Sequence, residues 1–133
     1  MNKKYVLITG VSSGIGYDAT RFLIEKGYHV FGSVRKEADK LRLEADFSDS
    51  FTCLQFDVTK KEEVEKSFLQ VKEIVGNNKL AGLVNNAGLA LGGPIELMDD
   101  EKFRYQMEVN LFSVRTVTNI FLPLLKGLSL IHI

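Results

Sequence analysis

The 133 residues carry 17 basic and 17 acidic side chains, for a formal net charge of zero, with 45% hydrophobic and 26% charged positions. That is enough chain for one domain with a real core, and the balanced charge gives no reason to expect nucleic acid or an anionic membrane as a partner. The single cysteine, Cys53, excludes an intrachain disulfide and fits a reducing, cytoplasmic setting.

The N-terminus, Asn2-Lys3-Lys4 followed by Tyr5–Ile8, has the charge order of a secretory signal. Its apolar run ends at Thr9-Gly10, short of the roughly 7–15 residues a signal requires. No stretch approaches the ~18 apolar residues of a membrane span. Tyr5–Ile8 instead reads as a first strand, leading into Thr9-Gly10-Val11-Ser12-Ser13-Gly14-Ile15-Gly16. A strand that turns through glycines into a helix suits a phosphate, because the backbone can approach closely and the helix offers free N–H groups. The spacing G-x-x-x-G-x-G differs from the usual dinucleotide pattern, and no Gly-Lys-Ser/Thr follows to make a P-loop. On these residues alone, a plain glycine-rich turn remains a reading.

A first helix is expected from about Ser13 to Lys26, with Ile15, Ala19, Phe22 and Leu23 on its apolar face and Gly27 as its stop. Residues 28–34 form the second strand, ending in Val34, Arg35 and Lys36. A carboxylate at this place would bind a ribose 2′-hydroxyl, whereas a guanidinium binds a 2′-phosphate; the same two cations also suit the solvated start of a helix. That second helix spans residues 36–47, with Ala38, Leu41 and Ala45 on one face, and Ser48-Asp49-Ser50 turns the chain. Residues 51–56 are a third strand running into Asp57-Val58-Thr59, and Cys53 within it reads as a buried bystander. Asp57 suits a turn, or an acceptor for an adenine amino group. Thr59-Lys60-Lys61-Glu62 has capping-box spacing. The third helix carries Val64, Phe68, Val71 and Val75 on one stripe and stops at Gly76-Asn77-Asn78.

Leu80–Val84 is the fourth strand and ends in Asn85-Asn86-Ala87-Gly88. A glycine-rich loop, residues 89–94, continues from it as a candidate rim of the site. A long helix starts near Asp99-Asp100-Glu101, with Phe103, Met107, Asn110, Val114, Val117 and Phe121 as its seam, and Pro123 should kink or end it. Asn110 is the misfit on that stripe, since a buried amide needs partners.

From residue 3 to about residue 126, the motifs, their order and their separations resemble the short-chain dehydrogenase/reductase family. The resemblance implies a Rossmann-like doubly wound parallel sheet in order 3-2-1-4, with the ligand crevice between strands 1 and 4. It implies a cofactor site at Gly10, Ser12, Ser13, Gly14, Ile15, Gly16, Arg35, Asp57, Val58, Asn86, Ala87 and Gly88. In the family an arginine at the place of Arg35 goes with NADP, which is therefore expected ahead of NAD. Asn110 matches the asparagine that joins the catalytic Ser-Tyr-Lys group, and no metal is expected. The implied partner is a small alcohol or carbonyl substrate, and the parent is expected to be a homo-oligomer.

The rest of the catalytic group is not matched. None of Tyr5, Tyr17, Tyr28 and Tyr105 has a lysine four residues on. Residues 127–133 read as a non-matching tail behind an incomplete domain at 1–126, so neither Ser129 nor His132 receives a role. The chain is thus expected to be the N-terminal part of an oxidoreductase, inactive alone and poorly behaved with strand 4 as an open edge; the apolar tail at 128–133 is a candidate to pair there, with no turn or alternation to set its register. A non-catalytic dinucleotide-binding or redox-sensing module is the alternative.

Overall fold

The computed structural model describes residues 3–125 and 130–132. Five strands are present: β1 (Tyr5–Ile8), β2 (His29–Val34), β3 (Phe51–Gln55), β4 (Leu80–Val84) and β5 (Leu130–His132). They form one sheet in the order β3-β2-β1-β4-β5, and every pairing is parallel. The expected order 3-2-1-4 is therefore found, in a Rossmann-like α/β fold. At the edge, the pairing open to the tail is made. β4 is not open, because Leu130–His132 pairs with Gly82–Val84. Ser129 lies outside the described residues.

The helices are α1 (Gly14–Glu25), α2 (Glu37–Phe47), α3 (Lys61–Val75), α4 (Asp100–Met107) and α5 (Ser113–Leu125), with a wider π-type turn over Glu108–Phe112 joining the last two. Strand side chains alternate between two cores. One core gathers Val6, Ile8, Val30, Val34 and Cys53 with Leu43 of α2, and Ala19 and Leu23 of α1 pack against it. The other gathers Leu7, Phe31, Leu54 and Leu83 with Val64 and Val71 of α3 and Val117 and Phe121 of α5. Burial on both faces explains the near-continuous apolar strands, as in parallel sheets generally. Each fully buried side chain of this size contributes about 1.5–3 kcal/mol. Burial in this sheet pushes the Cys53 thiol up to about 12, as expected for an inert cysteine.

Three sequence expectations about helix faces fail, in part on α1 and the last helix and wholly on α2, each for a local reason. On α1, Ile15 is 82% exposed and Phe22 is 52% exposed, while Gly16 and Thr20 are buried. A Cβ on Gly16 would collide with the Gly10 carbonyl and the Asn86 amide, so α1 seats on its glycine. Thr20 follows one turn later, its hydroxyl donating to the Gly16 carbonyl at 2.8 Å. On α2, Ala38, Leu41 and Ala45 are exposed; Leu43 is buried and Phe47 half-buried, one turn apart. On the last helix, Val117 and Phe121 are buried and Val114 half-buried as expected, but Phe103 and Asn110 are exposed. The π-type turn inserts an extra residue into the periodicity, so Val109 and Ser113, rather than Asn110, continue the buried face. Pro123 does not end the helix at once, since α5 runs to Leu125.

The capping box at Thr59 is also displaced. Helix α3 starts at Lys61, and the Thr59 N–H and hydroxyl both donate to Asp57 Oδ1, at 2.9 and 2.7 Å. Glu63 Oε1 accepts from the Asp57 N–H at 3.0 Å, so the side-chain bonds before α3 gather on Asp57 without forming a capping box.

Two outcomes follow from these contacts. Gly16→Ala should destabilise the chain by about 1–3 kcal/mol through overpacking, read as a lowered midpoint in chemical denaturation; an unchanged midpoint would show that α1 can shift freely. The second concerns His29, which is buried, with Nε2 2.8 Å from the Thr52 hydroxyl and Nδ1 without a partner among the described residues. Burial, and secondarily the charge of Lys3, hold it below the ordinary imidazole range. The unfolded state therefore binds a proton more readily, and stability present above about pH 6.5 should be lost as pH falls. His29→Asn should flatten that loss in denaturation series between pH 7.5 and 5.5, and identical slopes for the two proteins would refute the assignment.

Candidate functional site

Both halves of the site sit where β1 and β4 end side by side. The Thr9 N–H donates to the Val84 carbonyl at 3.0 Å, continuing the ladder beyond the strands. The Thr9 hydroxyl then accepts from the N–H groups of Asn86 (3.0 Å) and Ala87 (2.9 Å). Asn86 Nδ2 donates to the Gly10 carbonyl at 2.9 Å. From the other side, the Gly10 N–H donates to the Ser33 hydroxyl at 3.1 Å, and the Val11 N–H to the Ser33 carbonyl at 3.0 Å. The turn after β1 is thus tied to both neighbouring strands.

These ties leave no room for a side chain at Gly10. Gly10 has φ +70°, and a Cβ there would lie 2.8 Å from the Ala87 Cα. Gly14, with φ +59°, faces open space at the start of α1, and Ser13 makes no side-chain cap bond. The first N–H groups of α1 are therefore left without a side-chain cap. An uncapped helix start beside a glycine cradle fits an anionic group such as a pyrophosphate.

A cavity of about 250 Å³ opens over these strand ends. Of the sequence-derived site residues, it is lined by Gly10, Ser12, Ser13, Arg35, Asp57, Val58, Asn86, Ala87 and Gly88. Gly14, Ile15, Gly16 and Asn110 are not among its lining residues. Gly16 acts by letting α1 approach, and Ile15 points out into solvent. Leu89, the first residue of the loop expected at the rim, also lines the cavity, as do Ser33, Val34, Phe56, Tyr105 and Val109, which were not singled out from the sequence. Phe56 is buried just past β3. Tyr105 and Val109 are one turn apart on the helix, a spacing that puts them on one face.

Asn110 sits in the π-type turn and is satisfied by the loop after β4. Its Oδ1 accepts from the Leu89 N–H at 2.8 Å, and its Nδ2 donates to the Leu89 carbonyl at 2.6 Å. One turn earlier, Gln106 Oε1 accepts from the Leu91 N–H at 2.6 Å. Two amides four residues apart thus hold alternate residues of that loop, as a neighbouring strand would. Gln106 was missed by the sequence reading; its spacing from Asn110 is the signal that could have found it. Asn85 Nδ2 donates to the Thr118 hydroxyl at 3.1 Å, tying the β4 end to α5.

Among the described residues, no cluster of His, Cys, Asp and Glu is arranged to hold a metal. No helix is long and apolar enough to cross a membrane, again among those residues.

Comparison with known proteins agrees with this geometry. The chain is 42% identical over 122 residues to an NADPH-dependent 3-dehydrocapnine reductase of Ornithobacterium rhinotracheale, covering 92% of this chain and 43% of that protein. It is 39% identical over 124 residues to the human dehydrogenase/reductase SDR family member 9, covering 92% of this chain and 39% of that protein. The chain therefore spans about two fifths of the length of these curated relatives. Among solved structures, a short-chain dehydrogenase from Streptomyces avermitilis superposes with a TM-score of 0.89 at 27% identity, covering 98% of this chain and 48% of that one. The family model for short chain dehydrogenases matches residues 4–129. With nearly its whole length matched, the chain belongs to the short-chain dehydrogenase family.

Proposed function

We propose that this chain is the dinucleotide-binding part of an NADP-linked oxidoreductase acting on a small alcohol/carbonyl pair. The observation that carries the reading is the convergence of Ser12, Ser13, Arg35, Asp57 and Asn86–Gly88 on one cavity at the β1/β4 crevice. The 42% identical relative, whose name specifies NADPH, supports the cofactor class.

Each residue group has a role that follows from its chemistry. The glycine turn and the start of α1 hold the pyrophosphate. Arg35 stands exposed at the cavity after β2, where a guanidinium can bind a 2′-phosphate through two N–H groups and a carboxylate would repel it. Asp57 commits Oδ1 to Thr59, so its second oxygen is the acceptor for an adenine amino group. Val58 and Val109 supply apolar walls for the base. Ala87 and Gly88 keep the β4 end narrow beside the ribose. When bound, the nicotinamide gives or takes the hydride. Asn110 holds the backbone of Leu89, and we assign it the family's place in the catalytic group.

A carbonyl reduction also needs a proton at the oxygen, and this chain has no Tyr-x-x-x-Lys pair to deliver it. The serine, tyrosine and lysine belong to the parent beyond this part, as does the substrate pocket. We further propose a homo-oligomeric parent. Phe103, Leu111 and Phe112 are exposed along α4 and the π-type turn, an apolar surface suited to self-association. The lone buried Cys53 suits a reducing compartment such as the cytoplasm.

Arg35→Asp should weaken NADPH more than NADH, because it sets a like charge against the phosphate; calorimetric titration of both cofactors checks this, and equal losses would show that Arg35 is not the discriminator. The chain alone should bind NADPH without oxidising it when offered carbonyl substrates. Consumption of NADPH above a protein-free control would place the proton donor within these 133 residues.

A further inference from the structure

A second guanidinium reaches the glycine turn from a different element. Arg42 lies on α2, about two turns beyond Arg35 in sequence. Its Nη2 donates to the Ser12 carbonyl at 2.5 Å, a bond between residues 30 apart. Ser12 and Ser13 line the same cavity as Arg35. Arg42 is not itself a lining residue of the cavity, but a cation from the body of α2 is thus held against Ser12, which lines it together with Arg35. The turn itself supplies none, since residues 10–16 are only Gly, Val, Ser and Ile.

The other partners of Arg42 are loose. Asp39 Oδ1 is 3.4 Å from Nη2, and Asp46 Oδ2 is 3.9 Å from Nη1. Both carboxylates are on the same helix, and Asp46 also accepts from the Tyr17 hydroxyl at 3.2 Å. The Arg42 side chain is 45% exposed, and exposed pairs of this kind hold a side chain weakly. A guanidinium has five N–H donors, and the Ser12 carbonyl engages one nitrogen. Donors remain for an anion seated beside Ser12 and Ser13.

We infer that Arg42 is a specificity-determining residue for the phosphate on the adenosine ribose, acting from the Ser12 side of the turn. This assignment rests on the NADP reading above. NADH carries a hydroxyl in place of that phosphate, so the charge of Arg42 distinguishes the two cofactors. A residue that only braced the turn through Ser12 would serve both cofactors alike.

Calorimetric titration of the full chain with NADPH and with NADH, at one fixed salt concentration, separates these roles. Arg42→Gln should raise the NADPH Kd by about tenfold, the scale of a lost charge-assisted hydrogen bond, and leave the NADH Kd within about twofold. Arg42→Lys keeps the charge without the planar fork and should retain part of the NADPH preference; being a charge-conserving change at an exposed site, it also keeps the test alive if the glutamine variant folds poorly. Parallel losses for both cofactors in either variant would reduce Arg42 to a brace and overturn the assignment. Unchanged affinities for both would overturn it as well. A wild-type chain that binds NADH as tightly as NADPH would instead bring down the NADP reading itself, a failure visible before any variant is made.

Discussion

The Thr9 hydroxyl accepts two backbone N–H groups, those of Asn86 and Ala87, at the point where β1 and β4 stop. Two parallel strands normally part at their ends, because the ladder runs out and the chain turns to opposite faces. Here one side-chain oxygen extends the pairing by two more donors, and the Asn86 amide returns a bond to the Gly10 carbonyl. The two loops that carry the site are therefore fixed against each other before any ligand arrives, so little ordering is left for binding to impose. Gly16 depends on the same junction, since α1 lies against Gly10 and Asn86.

The sheet accounts for the rest of the positioning. Both faces are covered, by α1 and α2 on one side and by α3 and α5 on the other. Ligand access is left at the strand ends, where the chain leaves the β layer. Ser33 shows how tightly the two regions are coupled. It is a buried residue of β2 whose hydroxyl and carbonyl both serve the glycine turn, and it lines the cavity as well.

The strands were legible in the sequence because they rest on short-range signals, while their order and most of the cavity lining came from the family resemblance that the motifs carry. Apolar runs bounded by glycine or asparagine mark the strands, and the glycine turn and Asn86-Ala87-Gly88 announce their ends. Helix faces were less legible. Counting apolar residues put Ile15 and Phe22 inward, but the inward direction of α1 is set by a glycine that has no side chain to count. Leu41 misled in the same way on α2, where the face is set by Leu43 and Phe47. Tyr105, Val109 and Gln106 escaped notice because their importance comes from a helix-to-loop contact far along the chain. Arg42 escaped too: in sequence it is one charge among many on a polar helix, and only the fold brings it to Ser12.

The wider turn at Glu108–Phe112 behaves like a coupling between two shafts set at different angles. Before it, Tyr105 and Gln106 look toward the cavity and its loop; after it, Val117 and Phe121 look into the core. An unbroken α-helix would force one phase on both stretches, so that any residue chosen for packing would rotate those chosen for the site. The added residue frees the two phases from each other. Substitutions along α5 can therefore be accommodated within the core while Asn110 and Gln106 keep their grip on Leu89 and Leu91.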